Sequence, residues 1–243
     1  MGLSRYHKRS YRPYQNRRRI FVGIGVAAAV VLLIAGAAIY TLLTRDTGSE
    51  PVEETSAVDM QKADDASLLV VVNRQNPLSA DYKPSLREYR GLYFNPVLLS
   101  DLRALIKDAE AQGVKLTVKT AYRSYEEQQA LYEKTLNDYL KSGQYSEVRA
   151  EAEAQKHVPK AGCSEAQLGL LLEFDVSDSS AKAFLQRSCV NYGFIPRYPE
   201  GKDELTHRAP DDSLYRYVGR DNAVRIRSLD MCLEEYYNYI NKE

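Results

Sequence analysis

The sequence is poor in the side chains that most often bind metals or form cross-links. Its 243 residues include three histidines, three cysteines and no tryptophan. Because Cys163, Cys189 and Cys232 nowhere show CxxC-type spacing, we do not expect a zinc site built from cysteines. An odd number of cysteines also leaves one thiol over if two of them oxidise. We expect three small buried apolar side chains, with a Cys189–Cys232 disulfide between two helical segments as the alternative.

The sequence also lacks a net charge, but this average conceals two regions of opposite sign. The 33 basic and 33 acidic residues give a formal net charge of +0. Residues 1–19 contain seven of the basic residues and no acid, so the rest of the chain has a net charge of −7. No nucleic-acid-binding fold signature accompanies the basic segment, and we predict that it contacts anionic lipid headgroups and not nucleic acid.

Charge is missing altogether from the 24 residues 20–43, IFVGIGVAAAVVLLIAGAAIYTLL. A helix of this length spans about 36 Å, enough to cross a hydrocarbon core of about 30 Å. The alternative is a signal peptide, but its apolar core is usually about 7–15 residues long and a cleavage site follows it. The run therefore predicts an uncleaved transmembrane helix. The basic residues before it predict that residues 1–19 lie in the cytoplasm and that residues 44–243 lie on the outer side of the cell membrane.

The residues after this run divide into a short polar segment and one domain. Residues 44–66 are polar and acidic without apolar periodicity, which is typical of a flexible linker. Residues 67–243 are numerous enough for one sizeable core. Their apolar spacing predicts strands at 68–73, 115–122, 168–176, 194–199 and 214–219, and helices at 95–113, 124–143, 146–157, 180–193 and the C-terminus. This irregular alternation favours a compact α+β domain over a doubly wound sheet.

Four segments of this domain carry a resemblance to a known family. In chain order they are LLVVVN with NPLSADYKP, TAYRSYEEQQALY, KAGCSEAQLGLLLEFDV, and NYGFIPRYPEGKDELT followed by LYRYVG. Together they resemble the VanY-type D-alanyl-D-alanine carboxypeptidases, zinc enzymes that trim peptidoglycan stem peptides. The resemblance runs from about residue 68 to the C-terminus. It implies a small mixed or antiparallel sheet packed by helices, with residues 168–176 as a buried central strand.

The resemblance also identifies a metal site whose ligands have been replaced. The family binds zinc through the His of SEHQ, an Asp seven residues later and the His of EPWH, with the Glu of EPWH as general base. The corresponding positions here are Ala166, Glu173, Leu214 and Asp211, and Ser213 replaces the tryptophan. Methyl and isobutyl groups cannot coordinate a metal, and a catalytic zinc needs about three protein ligands. We therefore expect no zinc cofactor and no catalytic residue.

The substrate-binding half of the family site is retained in the sequence. Arg123 and Ser124 match positions that the family uses to hold the peptide carboxylate and polarise the scissile carbonyl, and Gln128 lies one helical turn on. A guanidinium suits bidentate binding of a terminal carboxylate. The structural alternatives are that Ser124 caps a helix and that Arg123 pairs with Glu173 or Asp175.

Three functions follow as hypotheses. The leading one is a membrane-anchored pseudoenzyme that binds peptidoglycan stem peptide or an envelope protein without cutting it. The second is an active D-alanyl-D-alanine carboxypeptidase with a displaced zinc site, which would need His157 and His207 to converge on Glu173. The third is a structural interaction domain whose old cleft is filled.

Overall fold

The computed structural model describes residues 67–242. The predicted cytoplasmic tail (1–19), transmembrane helix (20–43) and acidic linker (44–66) lie outside these residues and stay predictions. Between residues 67 and 242, none of the helices has both the length and the apolar character needed to cross a bilayer.

The elements follow one another in an irregular order of helices and strands. They are β1 (Arg87–Tyr89), β2 (Leu92–Phe94), α1 (Leu99–Ala111), β3 (Val118–Thr120), α2 (Tyr125–Lys141), α3 (Glu147–His157), β4 (Leu171–Phe174), α4 (Ser179–Ser188), β5 (Phe194–Tyr198), α5 (Asp203–Thr206), β6 (Asp211–Tyr217), α6 (Arg220–Ser228) and α7 (Leu233–Ile240). Short 3₁₀ turns occupy Pro96–Leu98, Glu165–Leu168 and Cys189–Tyr192. The α+β class predicted from the sequence is confirmed.

The central sheet has four antiparallel strands in the order β3-β4-β6-β5. β4 is an inner strand, paired with β3 on one side and β6 on the other. Its Leu172 and Phe174 are fully buried. The prediction of a buried central strand at 168–176 is therefore confirmed, although the strand is shorter than predicted. β1 and β2 form a separate antiparallel hairpin that the sequence analysis missed.

One face of the sheet carries aromatic rings that form the middle of the core. The ring of Phe174 meets those of Phe194 and Tyr215 edge to face, and Phe194 meets Tyr217 in the same way. Side chains of α1, α4 and α6 complete this cluster, among them Leu102, Leu105, Phe184, Leu185, Ala223 and Ile226. The opposite face of the sheet is thereby left for the polar and functional positions.

The predicted strand at 68–73 is wrong. Leu68, Leu69, Val71 and Val72 are buried, but their backbone joins no sheet. Instead, the carbonyl oxygens of Leu68 and Val70 accept hydrogen bonds from Arg216 Nη2, at 2.9 and 3.2 Å. A guanidinium thus satisfies backbone groups that a neighbouring strand would otherwise pair, since buried carbonyls need a donor. The apolar pattern correctly indicated burial but not the partner.

The cysteines are free thiols in two environments. Cys189 and Cys232 are buried, as predicted for small apolar side chains, whereas Cys163 is only partly buried. Burial raises the pKa of Cys189 to about 12 and that of Cys232 to about 11. Both buried thiols therefore stay protonated at neutral pH and are poor nucleophiles.

Candidate functional site

The positions that correspond to the family's metal ligands lie on adjoining elements. Glu173 on β4 is the direct cross-strand partner of Leu214 on β6. Ala166 lies in the 3₁₀ turn Glu165–Leu168, and this turn contacts β4. Ala166 itself is buried, with 4% of its surface exposed. The turn ends at Gly169 with φ 69° and leads directly into β4. The predicted proximity of Leu214 to Glu173 is confirmed, which supports the residue-by-residue assignment of these positions.

The side chains at these positions do not fit a zinc ion. Ala166 and Leu214 offer only carbon atoms, and the carboxylate of Glu173 accepts a hydrogen bond from Thr120 Oγ1 at 3.1 Å. Elsewhere in the part of the chain that the structure describes, no three His, Cys, Asp or Glu residues are grouped so that they could hold a metal ion. A zinc site needs about four donors at about 2.0–2.3 Å, and here one carboxylate remains.

Asp211, at the position of the family's general base, accepts hydrogen bonds from a residue of its own strand, β6. Its Oδ1 accepts hydrogen bonds from the backbone N–H of Ser213 at 2.9 Å and from Ser213 Oγ at 2.6 Å. This is an Asx-type turn, a common local use of an aspartate. The residue that replaces the family's tryptophan thus holds the carboxylate that replaces its base.

The two histidines of the described residues lie at helix ends. His157 is the last residue of α3 and is exposed. His207 follows α5, is also exposed, and has φ 54° in the left-handed region. The structure places neither in a cluster of potential metal ligands among the described residues.

Arg123 and Gln128 form a prearranged pair beside these positions. Arg123 Nη1 donates to Gln128 Oε1 at 2.8 Å, and Gln128 Nε2 donates to the carbonyl of Pro159 at 2.6 Å. Gln128 is fully buried. The backbone N–H of Arg123 also donates to the carbonyl of Ala166 at 3.2 Å. Gln128, itself fixed by Pro159, therefore holds the guanidinium, and the carbonyl of Ala166 holds the backbone of Arg123.

The charge of Arg123 has no ion-pair partner among residues 67–242, so the alternative in which it pairs with Glu173 or Asp175 is wrong. Burial lowers the pKa of Arg123, and the nearby charges of Glu173 and Glu127 oppose this effect. Asp175 instead pairs with Lys119 at 3.4 Å. A half-buried guanidinium held by a neutral amide retains the capacity to bind a carboxylate.

Ser124 has a structural role, as its alternative interpretation predicted. Its Oγ accepts a hydrogen bond from the backbone N–H of Glu127, while Glu127 Oε2 accepts one from the backbone N–H of Ser124. This reciprocal capping box begins α2. Contact of Ser124 with a substrate stays a prediction.

A buried network of charges, which the sequence analysis did not identify, lies beside the old site. Glu165 receives hydrogen bonds from Arg197 Nε at 2.7 Å and Nη2 at 2.9 Å, and Arg216 Nη1 lies 2.9 Å from the same carboxylate. Arg197 also donates to both oxygens of Glu234. Burial would raise the pKa of Glu165, but Arg197 and Arg216 outweigh it and lower the pKa. The arginines belong to two of the segments that carry the resemblance, RYPEGK and RYVG, and this network gives both segments a structural role.

These features define the class of the protein: an α+β domain with a central antiparallel sheet, in which Ala166 and Leu214 stand where the family that the sequence resembles has two of its metal ligands. Residues 91–220 match the model of the VanY D-alanyl-D-alanine carboxypeptidase family. The D-alanyl-D-alanine carboxypeptidase of Enterococcus faecalis (strain ATCC 700802 / V583) is 30% identical over 255 residues, covering 96% of this chain and 95% of the relative. The chain therefore belongs to the VanY family.

Solved structures agree with this assignment. VanYB in complex with D-alanine-D-alanine is similar with a TM-score of 0.67 and 35% identity, over 71% of this chain and 98% of that chain. The LdcB LD-carboxypeptidase, whose structure addresses peptidoglycan recognition, gives a TM-score of 0.61 and 25% identity, over 72% of this chain and 87% of that one. The fold of residues 67–242 is thus that of peptidoglycan carboxypeptidases.

Proposed function

We propose that the protein is a membrane-anchored, non-catalytic member of the VanY family that binds the peptidoglycan stem peptide without cutting it. The observation that carries the proposal is the pairing of Glu173 with Leu214 across β4 and β6, with Ala166 on the adjoining turn. Two of three ligand positions have no lone pair to offer a metal. The chemistry of a zinc-activated water therefore has no support in this cleft.

The retained Arg123–Gln128 pair supports peptide binding. Its guanidinium is half-buried, fixed at 2.8 Å by Gln128, and without an ion pair in the described part of the chain. The related VanYB structure contains D-alanine-D-alanine, a ligand with a terminal carboxylate. A terminal carboxylate on the stem peptide is the group that best suits this guanidinium.

The membrane anchor is part of the proposal. The uncharged run 20–43 and the basic residues before it support a single span with the domain outside the cytoplasm. Similarity to the Enterococcus faecalis carboxypeptidase covers 96% of this chain, so it includes most of residues 1–66. Protease added to intact, wall-stripped cells should digest residues 67–243, and protection of this domain would contradict the topology.

The catalytic part is tested by zinc content and D-alanine release from a pentapeptide ending in D-Ala-D-Ala. The unmodified chain should contain no stoichiometric zinc and release no D-alanine. The variant with Ala166→His, Leu214→His and Asp211→Glu restores the family's side chains and should gain zinc. A matched control with Ala166→Ser and Leu214→Asn adds polarity without imidazole and should gain none.

Each outcome bears on a different hypothesis. Stoichiometric zinc with D-alanine release by the unmodified chain would contradict the non-catalytic proposal and favour a displaced metal site. Failure of the unmodified chain to bind the pentapeptide, measured by calorimetry, would favour an interaction domain with a different partner in the envelope. Binding that Arg123→Gln weakens at least tenfold, without any cleavage, is the expected result.

A further inference from the structure

A cavity of about 560 Å³ lies between residues 72–75, the end of α3 and the segment 203–210. Its volume falls within the range of about 300–1,000 Å³ that is typical of ligand sites. None of Arg123, Ala166, Glu173 and Leu214 lines it. Its charged lining consists of Arg74, Lys156, Arg197 and Arg208 against Asp203 and Glu234. The cavity is therefore distinct from the old metal positions and carries an excess of positive charge.

Two of these cations form no ion pair among the described residues, although the charge of Arg74 acts on Glu151, a carboxylate that Lys160 already binds. Arg197 is bound to Glu165 and Glu234, and Lys156 pairs with Glu153 at 3.0 Å. Arg74 makes no hydrogen bond or ion pair within residues 67–242. The guanidinium of Arg208 donates only to backbone carbonyls, those of residues 156 and 157 at the end of α3. Both guanidiniums are thus available to an anion.

The position of Arg208 is fixed. Its guanidinium carbon lies over the ring of Tyr198, 4.8 Å from the centroid, and that of Arg197 lies 4.7 Å from the same centroid. Its two backbone hydrogen bonds add further restraint. An ordered guanidinium loses little conformational entropy when it binds a ligand, which favours a specific anion site.

The cavity adjoins the Arg123 site. Pro159, whose carbonyl accepts the hydrogen bond from Gln128, lines the cavity. Burial lowers the pKa of Arg123, and the positive charge of Arg208 lowers it further. Two guanidiniums without ion pairs therefore repel each other across this boundary, and an anionic ligand that reaches both relieves the repulsion.

We propose that the cavity is an anion-binding subsite that binds a second carboxylate. This carboxylate is carried on the same peptide whose terminal carboxylate binds Arg123. This inference rests on the proposed function, because it takes the stem peptide as the ligand. The occupant is an acidic peptide with a free carboxylate upstream of its C-terminus. Arg208 and Arg74 supply the charge that recognises this group.

The test compares two pentapeptides that both end in D-Ala-D-Ala. One has a glutamate at its second residue that is linked onward through its side-chain carboxyl, so that its α-carboxylate is free, and in the other this α-carboxylate is amidated. Calorimetry with the complete chain should show the acidic peptide binding about tenfold more tightly, as a close charge pair predicts. Arg208→Gln should remove most of this preference and leave the affinity for the amidated peptide within about twofold.

The variants separate recognition from structure. Because Arg208 also caps the last carbonyls of α3, its loss can destabilise that helix. Arg74→Gln breaks no hydrogen bond of the described structure and should reduce the same preference. Arg225→Gln removes an exposed arginine outside the cavity and should leave both affinities unchanged. A structural effect alone would weaken both peptides equally.

The failures are distinguishable. Equal affinity for the two peptides in the unmodified chain, or equal weakening of both by Arg208→Gln and Arg74→Gln, would overturn the subsite while leaving the Arg123 site intact. Absence of binding by both peptides would contradict the proposed function and the subsite with it.

Discussion

Glu165 and Ala166 are neighbours on one 3₁₀ turn, yet their side chains differ in how they are bound to the rest of the fold. Glu165 remains a carboxylate, is 1% exposed and is held by two buried arginines. Ala166 occupies a metal-ligand position of the family and has only a methyl group. A fully buried, paired charge thus lies one residue away from a side chain that has no polar atom.

The difference reflects what each side chain does for the fold. Removing one partner of a buried ion pair leaves an uncompensated charge and costs about 3–5 kcal/mol. Replacing a metal ligand by an apolar side chain in a partly buried cleft leaves no such charge behind. If the chain is non-catalytic, as proposed, the absence of imidazoles at positions 166 and 214 costs no stability, whereas the loss of Glu165 does.

The largest expected effect follows from Glu165→Gln. This change leaves Arg216 buried with only backbone carbonyl partners and should lower the free energy of unfolding by about 3–5 kcal/mol. Asp138→Asn, which breaks the exposed Lys134–Asp138 pair, is the matched control and should cost less than about 1 kcal/mol. Urea denaturation measures both, and equal effects would show that the buried network is not what holds the turn.

Acid should act on the same carboxylate in a graded way. The arginines lower the pKa of Glu165 in the folded protein against the opposing effect of burial. Its contribution to stability is therefore complete above the unfolded pKa of about 4.3 and is lost as the pH falls through the lower folded value. The stability difference between the unmodified chain and Glu165→Gln should shrink below about pH 4. A constant difference down to pH 2.5 would argue against this titration.

Gly169→Ala should have an intermediate effect. Gly169 has φ 69°, and a Cβ there would lie 2.8 Å from the backbone nitrogen of Asn95 and 3.1 Å from a methyl of Leu86. We expect a loss of about 2–3 kcal/mol. Gly201→Ala, at φ 76° with nothing within 4 Å, isolates the conformational cost of about 1 kcal/mol. Thermal unfolding of both variants separates steric conflict from backbone strain.

The smallest effect concerns Ser124. Ser124→Ala removes the N-cap hydrogen bond of α2 and should cost about 1 kcal/mol. Ser146, the N-cap residue of α3, makes no side-chain cap hydrogen bond, so Ser146→Ala should be close to neutral. If Ser124→Ala also weakens pentapeptide binding when Ser146→Ala does not, the residue serves both the helix and the ligand.

Local patterns predicted the elements that local physics determines. The apolar spacing of residues 124–143 and the possible helix cap at Ser124 predicted α2, and the apolar run 168–176 predicted β4. The resemblance also placed Leu214 beside Glu173, because both positions correspond to ligands of one metal ion in the family. Each of these predictions depended on residues close together in the sequence or on a resemblance that covers the whole domain.

Long-range polar contacts were not predictable in this way. Glu165 meets Arg197, 32 residues further along the chain, and the still more distant Arg216, and no periodicity marks such pairs. The same Arg216 satisfies the carbonyls of residues 68 and 70, which explains why an apolar run there forms no strand. Helix α6 was missed because its sequence RDNAVRIRS is mostly polar, with Ala223 and Ile226 alone buried.

The contact of Arg216 with residues 68 and 70 has a mechanical consequence. Force applied at residue 67 is transmitted to two hydrogen bonds, at 2.9 and 3.2 Å, on an arginine in an inner strand. Arg216 is in turn fastened to Glu165. A pull from the N-terminal side is therefore carried into the middle of the sheet and not to an edge strand, so the domain should resist unravelling from that end.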